Sequence, residues 1–198
     1  MSTAPSEIET NQSKLSRKNS SFSKENHEKS DEDSAITNID SEQSVDDFSI
    51  LQRISSALND IISKNEKENI ENNASDCDDS LFFNEKVPKI SIEDYLKRIK
   101  KYTHLEDSTL VIALIYIDRL LENQNIKLSK YNVYRILLSA ILLAIKYNED
   151  EIYDNSYFAK VFGIKNKELN KLENEFLNLI EFKLFISKKT FQSYSNEI

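Results

Sequence analysis

Between Ile90 and Phe182 the chain alternates apolar stripes with short polar breaks, and every stripe has the spacing of a helix. Ile92, Tyr95, Leu96 and Ile99 recur at steps of three and four, which predicts an amphipathic helix over "ISIEDYLKRIKKY". Ser91 stands at its N-cap with Asp94 three residues on, a capping-box variant, and Ile90 and Tyr95 are spaced as a hydrophobic staple. "DSTLVIALIYIDRLLEN" opens on cap candidates Asp107 and Ser108 and is apolar nearly all round. "SKYNVYRILLSAILLAIKYNED", opening at Ser129, is apolar round its whole circumference for about three turns. A helix with no polar face is buried on all sides, so this one is predicted to be central. A short helix follows over "DNSYFAKVFG", where Gly163 supplies the left-handed position past the end and Ile164 the apolar residue after it. The last stripe, Leu169, Leu172, Phe176, Leu179 and Ile180, runs through "KNKELNKLENEFLNLIEF". The expected fold is all-α: a five-helix globule around a buried third helix.

Upstream, Phe48, Leu51, Ile54, Leu58, Ile61 and Ile62 predict one more amphipathic helix over 45–63, expected to dock on the globule. The remaining boundaries are polar. Residues 1–44 are Ser-, Asn- and acid-rich with scattered single hydrophobes, too few to offset ordering entropy, and read as a disordered tail. Residues 64–80 read as a linker, 81–192 as the globule and 193–198 as a C-terminal tail.

Charge sharpens this division. Residues 1–80 carry 8 Lys and Arg against 18 Asp and Glu, whereas residues 81–198 carry 18 against 16, within a net charge of −8. The acidic half and the near-neutral globule argue against nucleic acid, which wants a basic face. One glycine and two prolines remove the Walker loop and the G-x-G-x-x-G turn along with most sheet turns. Two histidines (His27, His104) and one cysteine (Cys77) are too few for the usual structural zinc sets. No Glu-x-x-His occurs to furnish a bundle metal site. No cofactor, metal or small-molecule substrate is expected, nor catalysis. The longest apolar runs, 110–117 and 136–145, reach about half the ~20 residues of a membrane span. The start "MSTAPSEIET" lacks the basic and apolar regions of a secretory signal, so an intracellular protein of cytoplasm or nucleus is expected.

Four blocks in order, "VPKISIEDYLKRIKKYT", "VIALIYIDRLL", "LLAIKYNEDEIYDNSYFAKVFGI" and "LNKLENEFLNLIEFKLFIS", resemble a cyclin box. The likeness is nearest to the single-box P/U-type cyclins. With "ISSALNDIISKN", similar to the helix preceding the box in that subfamily, it covers residues 46–192. Two features depart from the wider family. The aromatic-His-Gly turn before the first helix is here "FNEKVP", and the Met-Arg-Ala-Ile-Leu motif is missing, so a groove for Arg-x-Leu peptides is not implied.

The resemblance implies a regulatory subunit that binds and activates a cyclin-dependent protein kinase by positioning the kinase's αC helix. It places Lys146 and Glu173 at the kinase interface, the lysine as donor and the glutamate as acceptor to kinase main chain, with Leu143, Tyr147, Phe176 and Ile180 lining that surface. The alternative is a cyclin-fold adaptor that binds transcription machinery or another protein without activating a kinase. Independently of family, Glu173 falls about 40° from Leu169, on the border of the apolar stripe. For Lys146 the plain alternative is a cation complementing a helix end. Asp118 and Arg119 are expected in internal hydrogen bonds or an ion pair. Tyr157 and Phe158 are expected to pack the short helix, and His104 to be solvated. Ser30, Ser44 and Ser75, each with an acidic residue three positions on, are candidate sites for an acidophilic kinase.

Overall fold

A computed structural model describes residues 40–71, 80–124, 126–150 and 152–198, with side chains from residue 50 and not for 69–71. Among the described residues there are seven helices and no strand: α1 (Asp40–Glu71), α2 (Ile92–Thr103), α3 (Asp107–Gln124), α4 (Val133–Asn148), α5 (Asn155–Phe162), α6 (Asn166–Leu179) and α7 (Lys188–Glu197). Of the predicted tail over 1–44, residues 40–44 are helical and the rest lies outside the described residues.

The apolar patterns fold as their periods dictate. In α4 every position from Ile136 to Ile145 is buried, including Ser139, whose hydroxyl donates to Arg135 O 2.7 Å away in the preceding turn. α4 lies against α3 and α6, α5 against α6 and α2, α1 against α2, and α7 against α3. Ser91 caps α2 by accepting from Asp94 N (3.0 Å) and donating to its carboxylate (2.7 Å). Asp154 caps α5, and Gly163 ends it at φ +77° with its N–H on Ala159 O. A left-handed turn there strains any residue with a Cβ.

Two helix starts differ from the sequence reading. Asp107 is already the first residue of α3, and Glu106 precedes it with its carboxylate accepting from Ser108. Ser129 does not cap α4. It opens a turn in which its N–H donates to Asn132 Oδ1 (2.8 Å), and the helix begins one residue later at Val133.

The upstream helix is longer than its apolar stripe. Leu51, Ile54, Leu58 and Ile62 are buried in the core, as a docked helix requires. Ile61, about 80° round from Leu51, falls off the edge of that stripe and is exposed. Phe48 belongs to the helix, but its side chain is outside the described residues. Residues 64–71, read as linker, continue α1 because their polar side chains grip the α3–α4 connection. Asn65 donates to Leu128 O (2.8 Å), and Glu66 and Glu68 pair with Lys130 and Lys127.

Two anchors were not legible. Phe82 is fully buried and meets Phe176 edge-on at 5.9 Å, seating the segment ahead of α2. Arg135 ties that segment to the core, bonding the carbonyls of Leu81 and Phe83 while pairing with Glu168 of α6. α7 also escaped the sequence reading, and it crosses the predicted boundary at 192. Its signal was Ser187, which caps it by accepting from Thr190 N (3.1 Å), with Phe191 and Tyr194 four and seven residues on.

Candidate functional site

The C-terminal end of α4 is where the buried helix reaches the surface. Asn148 folds back to donate to Ala144 O (2.8 Å), satisfying one of the last carbonyls. Two residues earlier Lys146 leaves the core, and its Nζ reaches Glu173 Oε1 at 2.6 Å. Glu173 projects from the middle of α6 beside the buried Leu169, Leu172 and Phe176. Its other oxygen, Oε2, accepts from Asn155 Nδ2 at 2.8 Å, and Asn155 also donates to Asn170 Oδ1. One carboxylate thus joins α4, α5 and α6. The pair is largely but not wholly withdrawn from water, with side-chain exposures of 31% for the lysine and 14% for the glutamate. Each partner keeps capacity in reserve: an ammonium has three donors and a carboxylate about four acceptor sites.

The surroundings are apolar. Tyr147 is 51% exposed, whereas Leu143, Phe176 and Ile180 are buried and support this surface from beneath. Exposed apolar side chains that sequence reasoning missed include Phe182 and Phe185, 64% and 76% exposed just past α6. Glu181 and Phe182 both have φ near +55°, a left-handed pair without glycine. They are held there by Glu181 N on Asn178 O and Phe182 N on Leu177 O, each 2.9 Å. The next residues are pinned from α3: Tyr116 donates to Leu184 O (2.9 Å), and Arg119 to Lys183 O and Phe185 O. Burial pushes the Tyr116 phenol up to about 12, against a hydrogen bond with Asn148 that lowers it. The end of α4 and the segment after α6 therefore meet at Tyr116. Its only sequence signal was the apolar alternation in "EFKLF", left over once the α6 stripe had ended.

Other expectations find plain structural places. Asp118 does not pair with Arg119; it accepts from Tyr194 (2.8 Å), so the two neighbours hold different parts of the C-terminal segment through hydrogen bonds. Burial raises the Asp118 carboxyl, partly offset by the Tyr194 bond, with Glu122 and Glu197 adding to the rise. Phe158 is fully buried, and Tyr157 donates to Tyr102 O. His104 is exposed and closes α2 in a left-handed C-cap. Ser30, Ser75 and Cys77 lie outside the described residues; Ser44 lies in α1, but its side chain is outside them too. Among the described residues no helix is long and apolar enough to cross a membrane, and no group of His, Cys, Asp and Glu is arranged to hold a metal.

Among the described residues the fold is all-helical, with a central buried helix that ends in an ion pair to α6. The family model for cyclins matches residues 4–184, and the chain belongs to the cyclin family. Its relatives include U-type and P-type cyclins of plants. Cyclin-U2-1 of Arabidopsis thaliana is 47% identical over 109 residues, covering 54% of this chain and 49% of the relative. Cyclin-U3-1 of the same plant is 37% identical over 145 residues, 73% of this chain and 65% of the relative. Cyclin-P3-1 of Oryza sativa subsp. japonica is 31% identical over 145 residues, covering 73% and 61%. The chain thus spans about half to two thirds of the length of these relatives.

Proposed function

We propose that this chain is the regulatory subunit of a cyclin-dependent protein kinase, docking through the face built on the end of α4 and the middle of α6. The carrying observation is the Lys146–Glu173 pair, 2.6 Å apart and partly open to water, on a surface where Tyr147, next to the lysine in sequence, and Phe182, just past α6, are exposed. A protein kinase transfers phosphate only when the lysine of its third strand is paired with the glutamate of αC. A surface that binds αC better in its inward position shifts the kinase toward the competent state by that difference in affinity. The exposed aromatics would bury αC side chains, while the spare Lys146 donors and Glu173 acceptors would bond kinase main-chain groups as charge-assisted contacts. Because the two charges already neutralise one another, docking need not bury an unpaired ion, which would carry a large desolvation cost.

The experiment is a charge swap. Lys146→Glu combined with Glu173→Lys keeps opposite charges paired, with a turned Asn155 amide presenting its oxygen to the new ammonium, while inverting the charges offered to the kinase. The swapped protein should melt close to wild type yet lose kinase association and stimulation. Truncating one member of a buried charged contact typically costs ~2–5 kcal/mol of binding, and inversion should cost at least as much. Wild-type stimulation by the swapped protein would reject the reading. Association of the natural chain without stimulation would instead make it an adaptor.

A further inference from the structure

On another side of the molecule a groove of about 600 Å³ runs between α2 and α5, lined by Lys97, Arg98, Lys101, Tyr102, Lys160 and Val161, with Asp94 and Tyr157 at its edges. Four cations face a single carboxylate there, on a chain whose net charge is −8. Lys97, Arg98 and Lys101 follow one face of α2 at steps of one, three and four residues, and Lys160 answers from α5. Lys160 lies about 140° round α5 from Asn155, so the groove opens away from the Glu173 contact.

The groove is built rather than incidental. Arg98 Nη2 donates to Lys160 O (3.2 Å) and so lies across it, with guanidinium donors left over. Val161 is buried at its floor. Tyr157 donates to Tyr102 O (2.5 Å) and stacks on Tyr153 at 4.3 Å, fixing an aromatic wall. Tyr102 stands half exposed at the rim. The four cations are not all equivalent, since Lys97 also pairs with Glu93 at 2.7 Å.

We propose that this groove docks a short phosphorylated peptide segment of a partner protein. A carboxylate carries one charge, whereas a phosphoserine carries about −1.5 to −2 with three acceptor oxygens, a better match for a planar guanidinium flanked by two ammonium groups. The floor of Val161 and the Tyr102 ring suit an apolar residue next to the phosphate. Acidic residues stand at the first turn of α2 (Glu93 and Asp94), at the start of α3 (Asp107) and at the N-cap of α5 (Asp154), the helices that build or adjoin the groove. That fence repels an extended polyanion, which disfavours a nucleic acid or an anionic bilayer. This inference does not rest on the kinase reading, and its test needs only the chain itself.

The probe is an oriented library of phosphoserine peptides, degenerate at the flanking positions, with the same library unphosphorylated. Fluorescence anisotropy should show the selected phosphopeptide binding at least about 10-fold tighter than its serine form, the loss expected when charge-assisted hydrogen bonds disappear. Lys101→Glu with Lys160→Glu should abolish that preference. Lys165→Glu with Lys171→Glu, on the first turns of α6, should leave it unchanged. Lys101 and Lys160 sit in the last turns of their helices, where reversal weakens a favourable dipole contact. The milder Lys101→Gln with Lys160→Gln, checked for unchanged melting, covers that case and should still weaken binding about 10-fold. Equal binding of serine and phosphoserine peptides, or undiminished binding by both double variants, would overturn the proposal. So would competition by inorganic phosphate as effective as the peptide, or tighter binding of a uridine decamer or phosphatidylserine vesicles.

Discussion

Among the described residues four are left-handed, His104, Gly163, Glu181 and Phe182, in a chain that has a single glycine. At Gly163 a Cβ would meet nothing closer than Arg98 at 3.8 Å, so the cost of a substitution there is conformational rather than steric. Gly163→Ala should lower stability by ~1–2 kcal/mol, and Gly163→Asn by less, in denaturant melts. Asp118 gives a second prediction. Its folded carboxyl is raised, chiefly by burial, so the folded state holds a proton more readily than the unfolded chain. The favourable contribution is therefore full below the unfolded value near 3.9 and lost as pH rises through the raised folded value. Asp118→Asn keeps an acceptor for Tyr194 and removes the repulsion from Glu122 and Glu197. It should melt higher than wild type at pH 7, and the gap should close toward pH 3. A gap that widens on acidification would contradict this assignment. Some residues were legible from local rules, among them Ser91 as a cap, Gly163 as a terminator and Glu173 as a border carboxylate. That Lys146 holds Glu173 was not, because the two lie 27 positions apart and only the crossing of α4 with α6 joins them.

Helices with a sustained apolar period were readable, and those held by polar contacts were not. The stripe of α2 predicted its four buried apolar positions, though not the buried Thr103, and the all-round apolar run of α4 predicted a central helix. The last two turns of α1 carry no stripe, and α7 is short with only partly buried side chains. Both depend on hydrogen bonds to distant elements that no window of sequence contains. These differences set the element predictions. Removing residues 1–49 should leave the cooperative melt intact, because among the described side chains of α1 the first buried one is Leu51. Removing residues 1–64 strips Leu51, Ile54, Leu58 and Ile62 from the core, each contributing ~1.5–3 kcal/mol by burial. That total rivals the ~5–15 kcal/mol stability of a typical domain, so the shorter protein should melt far lower or lose cooperativity in circular dichroism. Arg119→Ala should cost ~0.5–1.5 kcal/mol, because the exposed Lys183 and Phe185 carbonyls lose their donor but can bond water instead. It should also weaken kinase association by loosening Phe182.

Across the whole molecule the two proposed surfaces share no side chain. Combining the Lys146/Glu173 swap with the Lys101/Lys160 reversal should add their separate effects on kinase and peptide binding within about 0.5 kcal/mol. Larger coupling would mean that α5, which touches both regions, transmits between them. The burial of α4 on every side has a further consequence. A helix with one wet face can fray or detach while the rest of a domain persists, but the amides of 136–145 have no such partial route to solvent. They should exchange with heavy water only when the entire domain opens, at a rate that reads its global free energy. The slowest-exchanging stretch of the protein then leads directly into Lys146, so the charge offered to a partner stands on ground that moves only when everything does.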